Sequence, residues 1–331
     1  MARQKKLLGV GLGAGLLGAM FVALKYAVRP ATKTRVPDTI SPAVFRTKVL
    51  HTSIGQIVYH ECGSGQPLIF VHSICPGASS YEWSKVYPHF AATHHVLAPD
   101  LVGFGESARP DANLTAADYA RSLAEFIRAT CDFLEMPPVL IGSGLGAGFC
   151  VLLASQHPEL VSRLILLMPT ALTEFGQRQI SLGTRLAGAL PLLHRFLYRN
   201  YESTKTAIQA WLNTFGFSNP SAVNEETVNI YTTCARQYGA EHAIRNLHMG
   251  RLGFDLEDRM KTLTQPVTLL WSDSVPLLPF EWAQRLQAIT PNCNIVTLGG
   301  AALLATVEFP DQVCAILQEQ LSGELRVVKE S

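Results

Sequence analysis

The stretch Leu140-Ile141-Gly142-Ser143-Gly144-Leu145-Gly146-Ala147-Gly148 concentrates the residues able to bring backbone amides to a ligand or to expose a nucleophile on a turn. Two chemistries fit it. Ser143 offers a hydroxyl, which becomes nucleophilic only beside a general base that a third group orients. Alternatively, Gly142-x-Gly144-x-x-Ala147 formally matches the G-x-G-x-x-A fingerprint of a dinucleotide-binding oxidoreductase. That reading needs a ribose-binding carboxylate at the end of the next strand, and none stands at Met168–Thr170. A third group of polar residues, His72, Ser73 and Cys75, follows an apolar run. His94-His95 has no third ligand for a metal, and no C-x-x-C pair occurs, so neither a metal nor a cofactor is expected. Arg236, His242, Arg245 and His248 lie on helical patterns and read as solvated faces.

The whole chain sets limits on partners. Its 331 residues carry 27 Lys+Arg against 26 Asp+Glu with no basic stripe, which gives no footprint for nucleic acid. With 48% hydrophobic and 16% charged residues, most of the chain should fold. Seven cysteines cannot all pair internally, and buried thiols favour a reducing compartment. Arg3, Lys5 and Lys6 precede an uncharged run from Leu7 to Leu24, closed by Lys25 and Arg29. Residues 1–29 therefore read as a retained membrane anchor, with a cleaved signal as the alternative. Positive charge on both sides leaves its orientation open. Residues 30–45, with Pro30, Pro37 and Pro42, read as a linker, and 323–331 as a tail.

Between linker and tail, strand and helix patterns alternate. Thr47–Thr52 and Gln56–Glu61 suggest a hairpin. Pro67–His72, His95–Pro99, Pro138–Gly142, Val161–Met168, Pro266–Trp271 and Asn294–Leu298 suggest buried strands. Helical spacing runs over Ala116–Leu134, Gly144–His157 and Pro310–Leu321. This alternation predicts an α/β domain over 46–322, with a mainly parallel sheet covered on both faces. From about 174 to 262 the pattern is only helical: Ile180–Leu197, Thr204–Phe215, Glu225–Tyr238 and Glu241–Arg251. That is too long for a loop and reads as an inserted cap.

Taken in order, these pieces resemble the α/β-hydrolase fold. The glycine-rich turn resembles its nucleophile elbow, G-x-S-x-G. Phe70-Val71-His72-Ser73 resembles the stretch that helps form the oxyanion hole. Pro99-Asp100-Leu101-Val102-Gly103-Phe104-Gly105-Glu106-Ser107 resembles a P-D-x-x-G-x-G-x-S loop, and Trp83, Glu159-Leu160 and Glu308-Phe309-Pro310 also fit. The likeness spans roughly residues 45–322. It implies a triad, and the implied positions are degenerate: Gly144 for the nucleophile, Val275 for the acid and Leu303 for the histidine. No histidine occurs after His248. Ser143 is the fallback nucleophile and Asp273 the fallback acid, with Glu174 another nearby carboxylate. The backbone amides of Ile74 and Leu145 would remain as oxyanion donors. The resemblance thus implies a membrane-anchored, non-hydrolytic member that binds a small apolar ligand or a partner. Its pocket candidates are His72, Ser73, Cys75, Ser143, Val275 and Leu303. An active ester or amide hydrolase with a rearranged site is the alternative.

Overall fold

The computed structural model describes residues 45–131, 136–173 and 180–322. Eight strands form one sheet: β1 (Arg46–Thr52), β2 (Gly55–Cys62), β3 (Pro67–Val71), β4 (His95–Pro99), β5 (Val139–Ser143), β6 (Arg163–Leu167), β7 (Val267–Ser272) and β8 (Cys293–Leu298). Their spatial order is β1-β2-β4-β3-β5-β6-β7-β8. The β1–β2 hairpin is antiparallel, with Thr52 opposite Gly55, and β2 joins β4 antiparallel. From β4 to β8 every neighbouring pair is parallel. Each residue of β3, β5 and β7 is buried, which is why these strands read as continuous apolar runs rather than alternating ones.

Helix α1 (Ala116–Cys131) and helix α2 (Gly144–Gln156) pack against each other on the sheet, with Tyr119 stacked on Phe149 at 4.8 Å between ring centroids. From Leu145 to Ala154 every residue of α2 is buried, so the helix is apolar all round and sits in the core. The part of the expected first helix beyond Cys131 lies outside the described residues. Phe45, read from the sequence as the end of the linker, is buried and packs on Tyr87 at 4.8 Å between ring centroids. The expected anchor, the rest of the linker and the tail also lie outside the described residues. Among the described residues, no helix is long and apolar enough to cross a membrane.

Between β6 and β7 come α3 (Leu182–Ala189), α4 (Pro191–Leu197), α5 (Lys205–Trp211), α6 (Glu225–Ala235), α7 (Ala240–His248) and α8 (Leu256–Met260). The single helix expected over 180–197 is broken at Leu190, because Pro191 cannot donate its missing amide and starts a new helix instead. The helix expected over 225–238 stops at Ala235, and α7 begins after Gly239 at a φ of +81°. These helices have their own small core of Ile208, Leu212, Phe217, Val228, Ile230 and Tyr231, joined by Tyr81, Leu304 and Val307 from the sheet side. Arg199 donates both to Oε1 and to Oε2 of buried Glu241, at 3.0 and 2.8 Å. After β7 come α9 (Phe280–Ile289), α10 (Ala305–Glu308) and α11 (Pro310–Ser322); α9 and α10 were not legible in the sequence.

Asp100 fixes the loop after β4. Its Oδ1 accepts from the Ser80 amide and its Oδ2 from the Glu106 amide, each at 2.7 Å, and the residue is fully buried. Gly105 is required beside it, since a Cβ there would fall 2.0 Å from Oδ2. Replacing Asp100 by Ala orphans two amides in the interior. We expect Asp100→Ala to lower unfolding free energy by about 2–5 kcal/mol, measured as a fall in the urea midpoint at unchanged slope.

Candidate functional site

The glycine-rich turn lies at the carboxyl end of β5, in the middle of the sheet, with Ser143 the last strand residue and Gly144 the first of α2. Each glycine has a separate reason. Gly144 has a φ of +51°, which gives the sharp strand-to-helix turn. A Cβ on Gly142 would lie 2.8 Å from the Cα of Ala147, and one on Gly146 only 2.1 Å from the carbonyl oxygen of His72. So Gly142 and Gly146 are flanking glycines that let α2 close onto the strands, and Gly144 stands at the apex.

Above the turn is a cavity of about 260 Å³. Ser73, Ile74, Cys75, Ser143, Gly144 and Leu145 form its floor. Met168, Leu172, Ile180, Trp211, Leu247, Leu277 and Leu303 are among its walls. Among the described residues, this lining contains no imidazole, carboxylate, ammonium or guanidinium. Leu303 is held there from the cap, its amide donating to the Phe215 carbonyl at 3.2 Å. Met168 and Leu172 have φ values of +44° and +66°, two of the three non-glycine residues with positive φ among the described residues. Strain of that kind costs on the order of 1–3 kcal/mol per residue, and here it shapes the cavity wall.

Two of the expected pocket residues are elsewhere. His72 is fully buried beneath the floor: its Nε2 accepts from the Leu101 amide at 2.9 Å, so Nδ1 carries the proton and donates to the Ser73 carbonyl at 2.6 Å. Burial lowers its pKa, and the ring fixes two loops. Val275 does not line the cavity either. It is buried in the core, its carbonyl accepting from the Leu278 amide, and its neighbours Leu277 and Leu278 reach the cavity instead. The fallback acid Asp273 is exposed on the same loop, where Ser274 and the Gly300 amide hold its pKa down. Glu174 lies outside the described residues. The cavity therefore brings together Gly144, Leu303, Ser73, Cys75 and Ser143, with Ile74 and Leu145. The amides of Ile74 and Leu145 have no acceptor among the described residues. Burial pushes the Cys75 thiol far up, which makes it a poor nucleophile.

Two features were invisible in the sequence. A Cβ built on Gly144 would lie 2.2 Å from Ser73 Oγ and 3.1 Å from its Cβ. Ser73 thus occupies the space that a nucleophile's side chain would need. Behind the floor lies Glu82, 1% exposed, whose Oε2 accepts from the Ser73 amide at 2.8 Å. Burial raises its pKa to about 7, against the opposing pull of the Ser143 hydroxyl and the Ser73 amide. Its Oε1 has no well-aligned partner among the described residues. Nothing in the run Ser80-Tyr81-Glu82-Trp83 marks Glu82 as a site residue; only the packing of that turn beneath β3 and β5 does.

A family model described as the α/β-hydrolase fold matches residues 66–300, and the chain belongs to that family. It is 26% identical over 250 residues to an uncharacterised hydrolase, YugF, of Bacillus subtilis (strain 168), covering 75% of this chain and 87% of that one. It is 37% identical over 111 residues to a 2-hydroxymuconate semialdehyde hydrolase of Pseudomonas sp. (strain CF600), but this covers 33% of this chain and 38% of the relative. Among solved structures it resembles a meta-cleavage product hydrolase from Pseudomonas fluorescens IP01, with a TM-score of 0.68 at 21% identity over 83% of this chain and 97% of that one. At that identity the likeness speaks to the fold. The strand order and the family match also replace the dinucleotide-binding reading of the glycine-rich turn.

Two measurements follow from the floor of the cavity. Glu82 is protonated in both states below about pH 4.5, and between about 4.5 and 7 the unfolded chain gives up the proton first. Stability should therefore fall across that window and level above it, and Glu82→Gln should remove this part of the fall on pH-dependent urea unfolding. Glu202, also raised to about 7 by burial, contributes a similar fall that the variant leaves in place. Separately, Gly144→Ala should cost about 1–2 kcal/mol for the left-handed φ and more for the clash with Ser73. In a Ser73→Gly background the clash disappears, so a double-mutant cycle should show coupling above about 0.5 kcal/mol.

Proposed function

We propose that this chain uses the α/β-hydrolase framework to bind a small apolar ligand and does not carry out ordinary Ser-His-Asp hydrolysis. The observation that carries this reading is an apolar cavity with Gly144 on its floor and a described lining that has neither an imidazole nor a carboxylate. A serine hydroxyl without a base is a weak nucleophile, and the members of a triad act as a unit. The cavity, at about 260 Å³, falls just under the usual range of roughly 300–1,000 Å³ for ligand pockets, so it suits a compact molecule or one segment of a longer chain. In this reading residues 1–29 keep the domain at a membrane.

A second reading, hydrolysis by a rearranged site, has two supports. The relatives carry hydrolase names. The buried Glu82 carboxyl, raised to about 7 with the Ser143 hydroxyl among its interactions, is a base near a serine of the cavity, and the amides of Ile74 and Leu145, which have no acceptor among the described residues, would serve as oxyanion donors. Proton transfer from Ser143 to Glu82 would let Oγ add to the carbonyl carbon of an ester; return of that proton from Glu82 to the departing alkoxide would release the alcohol and leave an acyl-Ser143 for water to hydrolyse.

A fluorophosphonate probe and an activated ester separate the two. The binding reading expects no adduct on Ser143 or Ser73, no burst, and saturable binding of a fluorescent apolar probe that Leu303→Glu abolishes. An adduct on Ser143, with turnover lost in both Ser143→Ala and Glu82→Gln, would establish the hydrolytic reading in its place.

A further inference from the structure

The surface of the cap carries an apolar face with the wrong polarity for water. The exposed positions of α3 and its end are Leu182, Gly183, Leu186, Ala189 and Leu190, without one charged residue. Leu182, Leu186 and Leu190 are 72, 60 and 58% exposed and fall four residues apart, so they form one stripe along the helix. A helix on a soluble surface turns its charged side outward. Here the inward side meets the cap through Gly188, which packs on Met249 and His248, and the leucines face out.

The stripe begins at the mouth of the cavity. Ile180, two residues before Leu182, lines the cavity, and so does Leu277, itself 53% exposed. A polar cavity of about 360 Å³ shares Leu172 and Ile180 with it and ends at Thr173, Arg185 and Asp255. Arg185 has no ion-pair partner among the described residues and lies beside the leucine stripe on the same helix. Apolar side chains flanked by a cation are what a helix lying in a bilayer interface presents.

We infer that the outer face of α3 docks on a lipid bilayer and holds the mouth of the cavity against it, so that the ligand is a lipid-like molecule taken from the membrane. This rests on the apolar-ligand reading above and adds where the ligand comes from. The chain itself supplies the reason to choose a bilayer as the occupant. Leu7–Leu24 is uncharged and closed by cations on both sides, and residues 30–44 span at most roughly 50 Å when extended. A domain of this size has a radius of gyration of about 19 Å, so a tether of that length allows the cap to reach the surface in which the first segment sits.

The test uses the full chain on vesicles of phosphatidylcholine and phosphatidylglycerol, with Leu186→Trp as reporter over the wild-type background, whose four tryptophans are buried or half-buried. Docking predicts that the added emission is quenched by acyl-brominated lipid and shielded from iodide. Adding Leu182→Glu and Leu190→Glu should reverse both and slow transfer of a dansyl-labelled fatty acid from vesicle to protein about tenfold, while its binding from water is unchanged. Iodide quenching without bromolipid quenching on vesicle-bound protein overturns the inference. Shielding already complete without vesicles overturns it too, by placing residues 7–24 on the face. Shielding that rises with protein concentration alone does the same, by placing a second copy there. If the dansyl probe binds from water but the reporter never meets lipid, docking alone fails. If the probe does not bind, the apolar-ligand reading fails with it.

Discussion

A Cβ on Gly146 would stand 2.1 Å from the His72 carbonyl, and one on Gly142 2.8 Å from the Ala147 backbone. The site depends on that closeness. Because α2 presses its first turn onto β3 and β5, Gly144 takes a left-handed φ at the apex, and Leu145 beside it lines the space above. The same approach fixes the segment after β3, with His72 locking Ser73 from one side and Glu82 holding its amide from below. What that backbone presents to the cavity is Gly144 at the apex, Ser73 beside it and Leu303 in the wall.

These three residues fit one another. With no side chain on Gly144, Ser73 can turn its hydroxyl into the vacated space. With Leu303 in the wall, the described lining of the cavity carries no charge and is mostly apolar. A serine restored at 144 would meet Ser73 before it met any substrate. It would also find no imidazole, since the loop tied to Phe215 presents only leucine. Glu82 is the exception to the apolar trend. Its buried carboxyl is tolerated because near neutral pH it is partly protonated and its one bonded oxygen is met by an amide.

Much of this was legible in the sequence for a simple reason. Strands buried on both faces, such as Leu68–Val71 and Val139–Ile141, are apolar runs bounded by turn residues, and glycines at Gly142, Gly144 and Gly146 mark close approach wherever they fall between a strand and a helix. Local pattern failed where contacts decide. Val275 was placed in the pocket by counting along a loop, but the chain turns there through the Leu278 amide and sends Leu277 and Leu278 inward instead. His72 is next to the cavity residue Ser73 yet spends both ring nitrogens on loop backbone beneath the floor. Glu82 becomes a site residue only through space, across the gap between β3 and the turn before β4, whereas Ser73 was already among the residues expected in the pocket. Pro191 did signal a helix boundary, but the apolar spacing on either side concealed it.

Strain and exposure lie together on the cap side of the sheet. Met168 and Leu172 hold left-handed backbone at the cavity wall, a few residues before the exposed leucines of α3. Neither feature stabilises the folded domain in water: positive φ costs backbone energy, and exposed leucine forgoes the roughly 1.5–3 kcal/mol that burial would return. Elsewhere the picture is mixed: Asp100, Trp83 and Tyr119 satisfy their polar atoms while buried, whereas Glu82 Oε1, His60 Nε2 and the Tyr231 hydroxyl have no well-aligned partner among the described residues. The inverted helix α3 lies on the same side of the sheet as the apolar cavity above Gly144, so the exposed leucines and the strained cavity wall adjoin one another. Contact with an apolar phase at that face would recover the leucine term without rearranging the sheet, on the side of the domain where the cavity above Gly144 lies.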